Sequence, residues 1–131
     1  MKKLLLVSTL LCVVVPTFAK GKTRKPVSLS ARGGLASWHD YSQERDSYYL
    51  RNGRMITASR SYPCGTVLKV FNKANKKFVY VTVRDWGPAK WTGRQLDLNK
   101  AAFRKIASPG TGQIRVTYYI YKMGSCKIHR H

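Results

Sequence analysis

Acidic side chains are scarce in this sequence. Only 5 of its 131 residues are aspartate or glutamate, against 25 lysines and arginines, so the formal net charge is +20. A charge excess of this size predicts attraction to polyanions and an affinity that falls as salt is added. The alternative interpretation is that the charge serves solubility and loose adhesion only.

Long apolar stretches are missing as well. The segment from Leu4 to Val15 falls short of the roughly 20 residues that a membrane-spanning helix needs. It follows Lys2 and Lys3 and ends just before Ala19, which is the order of a secretory signal peptide. We therefore expect residues 1–19 to be cleaved and the protein to be secreted or periplasmic. Wall polymers or lipid head groups, rather than nucleic acid, are then the expected polyanions.

Cysteine is rare too, and two of the three cysteines, Cys64 and Cys126, follow the predicted cleavage site. In an oxidising compartment an even pair suggests one disulfide, although two free thiols remain an alternative. Cys126 also lies near His129 and His131 at the end of the chain. This is a weak metal-binding pattern, so we predict neither a metal nor another cofactor.

The length that remains suits one domain. Residues 20–32 are basic and poor in large apolar side chains, which is typical of a flexible leader. Gly33-Gly34 is expected to mark the start of a domain over residues 33–122. Residues 123–131 are predicted to form a basic C-terminal tail.

Short strand-like patterns fill this domain, and one helix fits between them. Several short strands favour a mainly β fold that closes into a small barrel, which leaves no exposed strand edge. Asn99 is a suitable helix N-cap and Pro109-Gly110 a suitable stop. The predicted strands are Leu35–Trp38, Thr66–Phe71, Phe78–Val83 and Ile114–Tyr121, and the predicted buried stripe of the helix is Ala101, Ala102, Phe103 and Ile106.

Four further segments stand out, in the order Gly34–Trp38, Thr57–Arg60 with Tyr62–Val67, Val81–Pro88 and Gly93–Phe103. In this order they resemble the motifs of RlpA-like (rare lipoprotein A-like) domains. They resemble the opening strand, a Thr-Ala-Ala-His…Leu-Pro-x-Gly-Thr-x-Val segment, a strand that ends in Asp-Arg-Gly-Pro, and Gly-Arg-x-Ile-Asp-Leu-Ser-x-Ala-Ala. The resemblance implies a six-stranded double-psi β-barrel with one or two short helices. Relatives with this barrel include lytic transglycosylases, which cut peptidoglycan glycan strands, and the first domain of expansins, which loosens walls without hydrolysis. The resemblance also implies that the protein is associated with the cell wall.

Asp85 and Asp97 are the candidate catalytic residues, because the resemblance implies aspartates at one mouth of the barrel that face a polysaccharide groove. Asp85 lies two residues after Val83 and therefore continues the same strand face where the strand ends. Asp97 lies between two leucines. A lytic transglycosylase needs one carboxylic acid to protonate the glycosidic oxygen. The alternatives are a turn-forming role for Asp85 and a position near a helix N-terminus for Asp97.

The sequence departs from the RlpA-like enzymes at two points. Arg60 stands where they carry histidine, and Asp46–Gly53 offers no clear equivalent of their upstream acidic residue. Arg60 cannot act as a base near neutral pH, but a guanidinium can clamp a carboxylate or phosphate, so we predict a substrate-binding role. His39 is expected to be a surface histidine, with a role as displaced base as the alternative.

Aromatic side chains are expected to bind sugar rings by stacking. Trp86, Trp91, Tyr48 and Tyr49 flank the groove segments and are predicted to contact substrate. Trp38 is instead expected to lie in the core, because a small domain needs its large side chains there.

Two functions follow from these observations, and the sequence leaves both open. One is a lytic transglycosylase that cleaves cell-wall glycan strands with Asp85 as acid and base, and the other is a non-catalytic, expansin-like module that binds or loosens wall polysaccharide. A third possibility is a secreted binder of other proteins that uses the barrel as a scaffold. The expected partner is peptidoglycan or another anionic wall polysaccharide. We expect no nucleic acid, membrane contact only through charge, and a monomer.

Overall fold

The computed structural model describes residues 13–14, 30–43 and 53–126. Six strands close into a barrel in the order β1-β5-β2-β4-β3-β6, so the predicted six-stranded, mainly β barrel is confirmed. Among the described residues, three short 3₁₀ turns lie between the main elements, at Tyr41–Gln43, Lys90–Thr92 and Pro109–Thr111. The elements are β1 (Arg32–His39), β2 (Ile56–Ala58), β3 (Val67–Asn72), β4 (Phe78–Asp85), β5 (Arg94–Asn99), α1 (Lys100–Ile106) and β6 (Gln113–Lys122).

The two halves of the chain interleave in the barrel. β1 pairs in parallel with β5, and β2 pairs in parallel with β4. The other neighbouring pairs, including β1 with β6 and β3 with β6, are antiparallel. Strands β1 to β3 therefore alternate around the barrel with strands β4 to β6. This arrangement brings the ends of β1, β2, β4 and β5 together.

Strand β4 shows the alternation that positions the core. Val79, Val81 and Val83 are buried, whereas Phe78 and Tyr80 are exposed on the opposite face, as period-2 patterning predicts. The barrel interior is filled by fully buried side chains from all six strands, and β1 contributes the small Ala36. The largest fully buried strand side chains are Ile56, Leu68, Val70, Val81, Val83, Leu96, Leu98 and Val116. Trp38 packs against this core, as predicted, and its Nε1 donates to the Pro109 carbonyl at 2.9 Å.

Helix α1 begins at the predicted cap. The Asn99 side chain accepts a hydrogen bond from the Ala102 amide at 3.1 Å. Ala102, Phe103 and Ile106 are buried, but Ala101 is only half-buried, so the predicted stripe is wrong at that residue. Successive helical residues are turned by about 100°, which carries Ala101 off the face that Ala102 presents to the barrel.

The glycines expected at the start of the domain lie inside β1, which begins at Arg32. Gly34 has a packing role there, because an added Cβ would lie 2.2 Å from Cγ of Gln95 on the neighbouring strand β5. The missing side chain therefore makes room for Gln95 and allows β1 to continue through both glycines.

A disulfide joins Cys64, in the turn before β3, to Cys126, beyond the end of β6. Next to it the Gly124 amide donates to Oγ1 of Thr66 at 3.1 Å. A Cβ at Gly124 would lie 2.2 Å from backbone atoms of Gly65 and Thr66, so only glycine fits this contact. The segment after β6 is thus held against the turn before β3.

Several predicted features lie outside the described residues. These are Tyr48, Tyr49, His129 and His131, together with most of the signal peptide and leader. In the part of the chain that is described, no helix has the length and apolarity needed to cross a bilayer.

Candidate functional site

Four residues form a row across neighbouring strands at one mouth of the barrel. Ser37 of β1 pairs with Asp97 of β5, and Ala58 of β2 pairs with both Asp97 and Asp85 of β4. Residues paired across a sheet point to the same face, so the carboxylates of Asp85 and Asp97 flank Ala58. Two inter-strand spacings put their Cα atoms about 10 Å apart. The small side chain of Ala58 leaves the space between them open, and all three residues line one cleft.

Asp85 ends β4, where the chain turns away through Gly87. Its Oδ1 accepts a hydrogen bond from the Trp86 amide at 2.8 Å, and its Oδ2 lies 3.4 Å from the Tyr41 hydroxyl, which donates to it. Gly87 has φ of +144°, a backbone conformation that side chains other than hydrogen rarely allow, and a cis peptide bond links it to Pro88. A buried phenol and a backbone amide thus hold the Asp85 carboxylate at the cleft.

Asp97 has a different set of partners. Its Oδ1 accepts a hydrogen bond from the Ser37 hydroxyl at 2.6 Å and lies 3.7 Å from Nη1 of Arg94. The same Arg94 nitrogen donates to Ser37 Oγ, which closes a three-residue cluster. The side chain of Asp97 is only 15% exposed, so this cluster holds its carboxylate in one orientation.

Aromatic side chains surround the cleft to different degrees. Trp86 lines it and is 44% exposed, and His39 and Tyr41 also line it, with their rings 4.7 Å apart, edge to face. Trp91 is 89% exposed on the Lys90–Thr92 turn and does not line the cleft itself. Both tryptophans are thus accessible to a large ligand, and His39 is exposed as predicted.

Arg60 lies beside the cleft and is bound to the backbone of its rim. Its guanidinium donates to the carbonyl of Pro88 and, at 3.2 Å, to that of Arg94. These bonds join the loop that follows Asp85 to the start of β5, the strand that carries Asp97. Arg60 is thus bound to the backbone at the rim of the cleft, and its contact with substrate stays a prediction.

Sequence reasoning missed four residues of the cleft: Ser37, Tyr41, Ala58 and Arg94. Arg94 had a usable signal, because it belongs to the Gly-Arg segment that resembles the RlpA-like motif. Ser37 and Ala58 also belong to segments that resemble RlpA-like motifs, but their positions beside the two aspartates follow from pairings between strands far apart in sequence. Tyr41 lies on the 3₁₀ turn after β1, and no local pattern pointed to it.

Comparison with known proteins gives three related results. A family model described as lytic transglycolase matches residues 32–118. The endolytic peptidoglycan transglycosylase RlpA of Rickettsia felis is 32% identical over 112 residues, which cover 76% of this chain and 48% of that protein. The protein of the same name from Campylobacter jejuni is 30% identical over 118 residues, covering 84% of this chain and 42% of that protein. The chain therefore spans less than half the length of either relative.

Among solved structures, an expansin variant from Clavibacter michiganensis in complex with cellohexaose aligns with a TM-score of 0.58 at 23% identity. The alignment covers 73% of this chain and 52% of the expansin chain. At this identity the likeness concerns the fold, and it agrees with the closed barrel seen here. The family match over residues 32–118 establishes that the chain belongs to the RlpA-like family of double-psi β-barrel proteins.

Proposed function

We propose that the protein is a lytic transglycosylase that cleaves peptidoglycan glycan strands at the cleft between β4 and β5. The observation that carries the proposal is the pairing of Ala58 with both Asp85 and Asp97, which puts two carboxylates on one open cleft. The relatives named as endolytic peptidoglycan transglycosylases support the choice of reaction and substrate.

Asp85 is the proposed acid and base. The carboxylic acid protonates the glycosidic oxygen as the bond from that oxygen to the muramoyl C1 breaks. The ionised carboxylate then takes the proton of the C6 hydroxyl of the same muramoyl residue, and O6 bonds to C1. No water is consumed, the proton lost by Asp85 is regained, and the product carries a 1,6-anhydro ring.

Asp97 has a supporting role in this scheme. Its contacts with Arg94 and Ser37 fix a negative charge on the far side of Ala58 from Asp85. A fixed carboxylate there is suited to stabilise positive charge that develops at C1 in the transition state. Trp86 and Trp91 are suited to hold the strand by stacking on sugar rings.

A non-catalytic function in wall binding or loosening is the second candidate. The observation that favours it is Arg60, which stands where the resembling enzymes carry histidine and donates to the Pro88 and Arg94 carbonyls. An arginine bound in this way supplies no base to the cleft.

One experiment separates the two functions. Purified glycan strands are incubated with the protein and with Asp85→Asn, and the products are analysed by mass spectrometry. Anhydro-muramoyl ends are expected from the native protein and at least about 100-fold fewer from the variant, since general acid catalysis contributes roughly that factor. Arg104→Gln is the control, because Arg104 is exposed on α1 and does not line the cleft.

The outcomes distinguish the two functions. Equal product from Asp85→Asn would refute the assigned acid. No anhydro product from the native protein, together with retention of the protein on the same glycan, would establish the binding function in place of the enzyme.

A further inference from the structure

The outer wall of the barrel carries a second concentration of aromatic side chains, away from the cleft. It lies on adjacent strands β4, β3 and β6, and we name it the aromatic face. Its rings pack edge to face or tilted in a continuous chain, with centroids 4.9 to 5.9 Å apart between neighbours. The members of the aromatic face are Phe71, Phe78, Tyr80, Tyr119 and Tyr121.

These rings are accessible although they contact one another. Phe78 is 49% exposed, Tyr80 41% and Tyr121 63%. Strands of a small barrel usually bear polar residues on their solvent side, so adjacent exposed aromatics on three strands need an explanation. Packing in the core does not explain these aromatic side chains, because the residues of β4 that face the core are valines.

Positive charge accompanies the aromatic face. Nζ of Lys69 lies 4.2 Å from the ring centroid of Phe78, 5.0 Å from that of Phe71 and 5.5 Å from that of Tyr80. At one edge, Phe71 and Tyr119 line a shallow pocket together with Lys73 and Lys76. No acidic residue occurs on β3 or β6, or on β4 before Asp85. The surface is thus complementary to a ligand with both apolar faces and negative charge.

The aromatic face is separate from the cleft. Tyr80 precedes Asp85 by five residues on β4, which corresponds to about 17 Å along the strand. No residue of the aromatic face lines the cleft. A ligand bound here therefore does not contact the two carboxylates through the same sugar unit.

We infer that the aromatic face is a second binding surface for an anionic wall glycan. Sugar rings present apolar C–H faces that stack on aromatic rings, and the carboxylates of such a glycan suit Lys69 and the lysines of the pocket. The class of polymer in this inference rests on the proposed function, but binding at the aromatic face does not require that the protein cleaves the polymer.

An anionic membrane is the competing partner, and the geometry disfavours it. Insertion of the aromatic face into a lipid surface would bury the Lys69 ammonium, which lies among the rings and not at their rim. Burial of an unpaired charge is costly. A hydrated polysaccharide leaves that ammonium in contact with water and carboxylates.

The test is co-sedimentation with purified peptidoglycan sacculi at a fixed salt concentration. Tyr80→Ala/Tyr121→Ala is expected to weaken binding about thirtyfold, because two stacked rings are lost and each contributes roughly a fivefold factor in affinity. Lys69→Gln is expected to weaken it roughly threefold, the size of an exposed charge contact. Arg104→Gln, which removes an exposed charge on α1, is the control and should bind like the native protein. Thermal unfolding checks that each variant is folded.

Two additional measurements complete the test. Vesicles of phosphatidylglycerol replace the sacculi, and cleavage is measured on short soluble glycan fragments. Native-like binding of sacculi by the double variant overturns the inference, as does a loss confined to the vesicles, which would assign the face to a membrane. If the native protein cuts no fragments, the proposed function fails, yet sacculus binding still decides the role of the aromatic face.

Discussion

Tyr118 illustrates at the residue scale how burial couples this barrel to pH. It lies on β6 with only 4% of its surface exposed, edge to face with Tyr62 at 6.3 Å between centroids. Burial raises the pKa of the Tyr118 phenol above its ordinary value of 10.0, and Tyr62 adds to this effect. The neutral phenol is therefore favoured in the folded state. Its contribution to stability is complete below pH 10 and is lost as the pH rises through the higher, folded-state pKa.

We accordingly predict that Tyr118→Phe raises the pH of alkaline unfolding. Phenylalanine keeps the buried ring but has no proton to lose. Circular dichroism between pH 9 and pH 12 measures the transition, and the exposed Tyr121→Phe is the control. An unchanged alkaline midpoint in Tyr118→Phe would show that this phenol does not limit stability.

Asn99 acts at the element scale, because it joins β2, β5 and α1. It is fully buried, caps α1 through the Ala102 amide, and donates from Nδ2 to the Arg54 carbonyl at 3.0 Å. Its Oδ1 also lies 3.4 Å from the Ile56 amide. One side chain therefore provides hydrogen-bond partners both for a backbone amide at the start of α1 and for backbone groups at the start of β2.

We predict that Asn99→Ala lowers the free energy of unfolding by about 3 kcal/mol, because a cap is lost and buried backbone groups are left without partners. Asn99→Ser is expected to recover part of the loss, since serine can cap the helix but cannot reach the Arg54 carbonyl. Urea denaturation followed by tryptophan fluorescence measures both. If serine and alanine are equivalent, capping is not the contribution that matters.

Local patterns predicted some elements and could not predict others. The alternation of Val79, Val81 and Val83 identified β4, and the Asn99 cap identified α1. Strand β2 was not predicted, because its three residues are all buried and show no alternation of buried and exposed side chains. The register at the cleft depends on irregularities at Thr57/Ala58 and Leu35/Ala36, where strands distant in sequence meet. The resemblance to RlpA-like domains, rather than periodicity, pointed to the two aspartates together.

The Cys64–Cys126 disulfide acts at the scale of the whole molecule. It links residues 62 apart in sequence and encloses β3, β4, β5, α1 and β6. A cross-link over a loop of this length restricts the unfolded chain and is worth about 4 kcal/mol in the chain-entropy model.

We predict that Cys64→Ala/Cys126→Ala lowers the free energy of unfolding by about that amount while leaving the barrel folded. Urea denaturation of the variant and the native protein gives the difference. The native protein with added reductant is the control and should approach the variant. A variant as stable as the oxidised protein would mean that the Gly124 contact with Thr66 holds the end of the chain without the bridge.

The interleaved strand order also determines when the barrel can close as the chain leaves the ribosome. β1 is synthesised first, yet its two neighbours are β5 and β6. One of its hydrogen-bonding edges has no partner until β5 has emerged and the other has none until β6 has emerged, and Cys126 emerges later still. Unpaired edges invite association with other chains. During synthesis β1 therefore keeps an unpaired edge until β6 is available. A chain that stalled before Gln113 would form an open sheet instead of a smaller barrel.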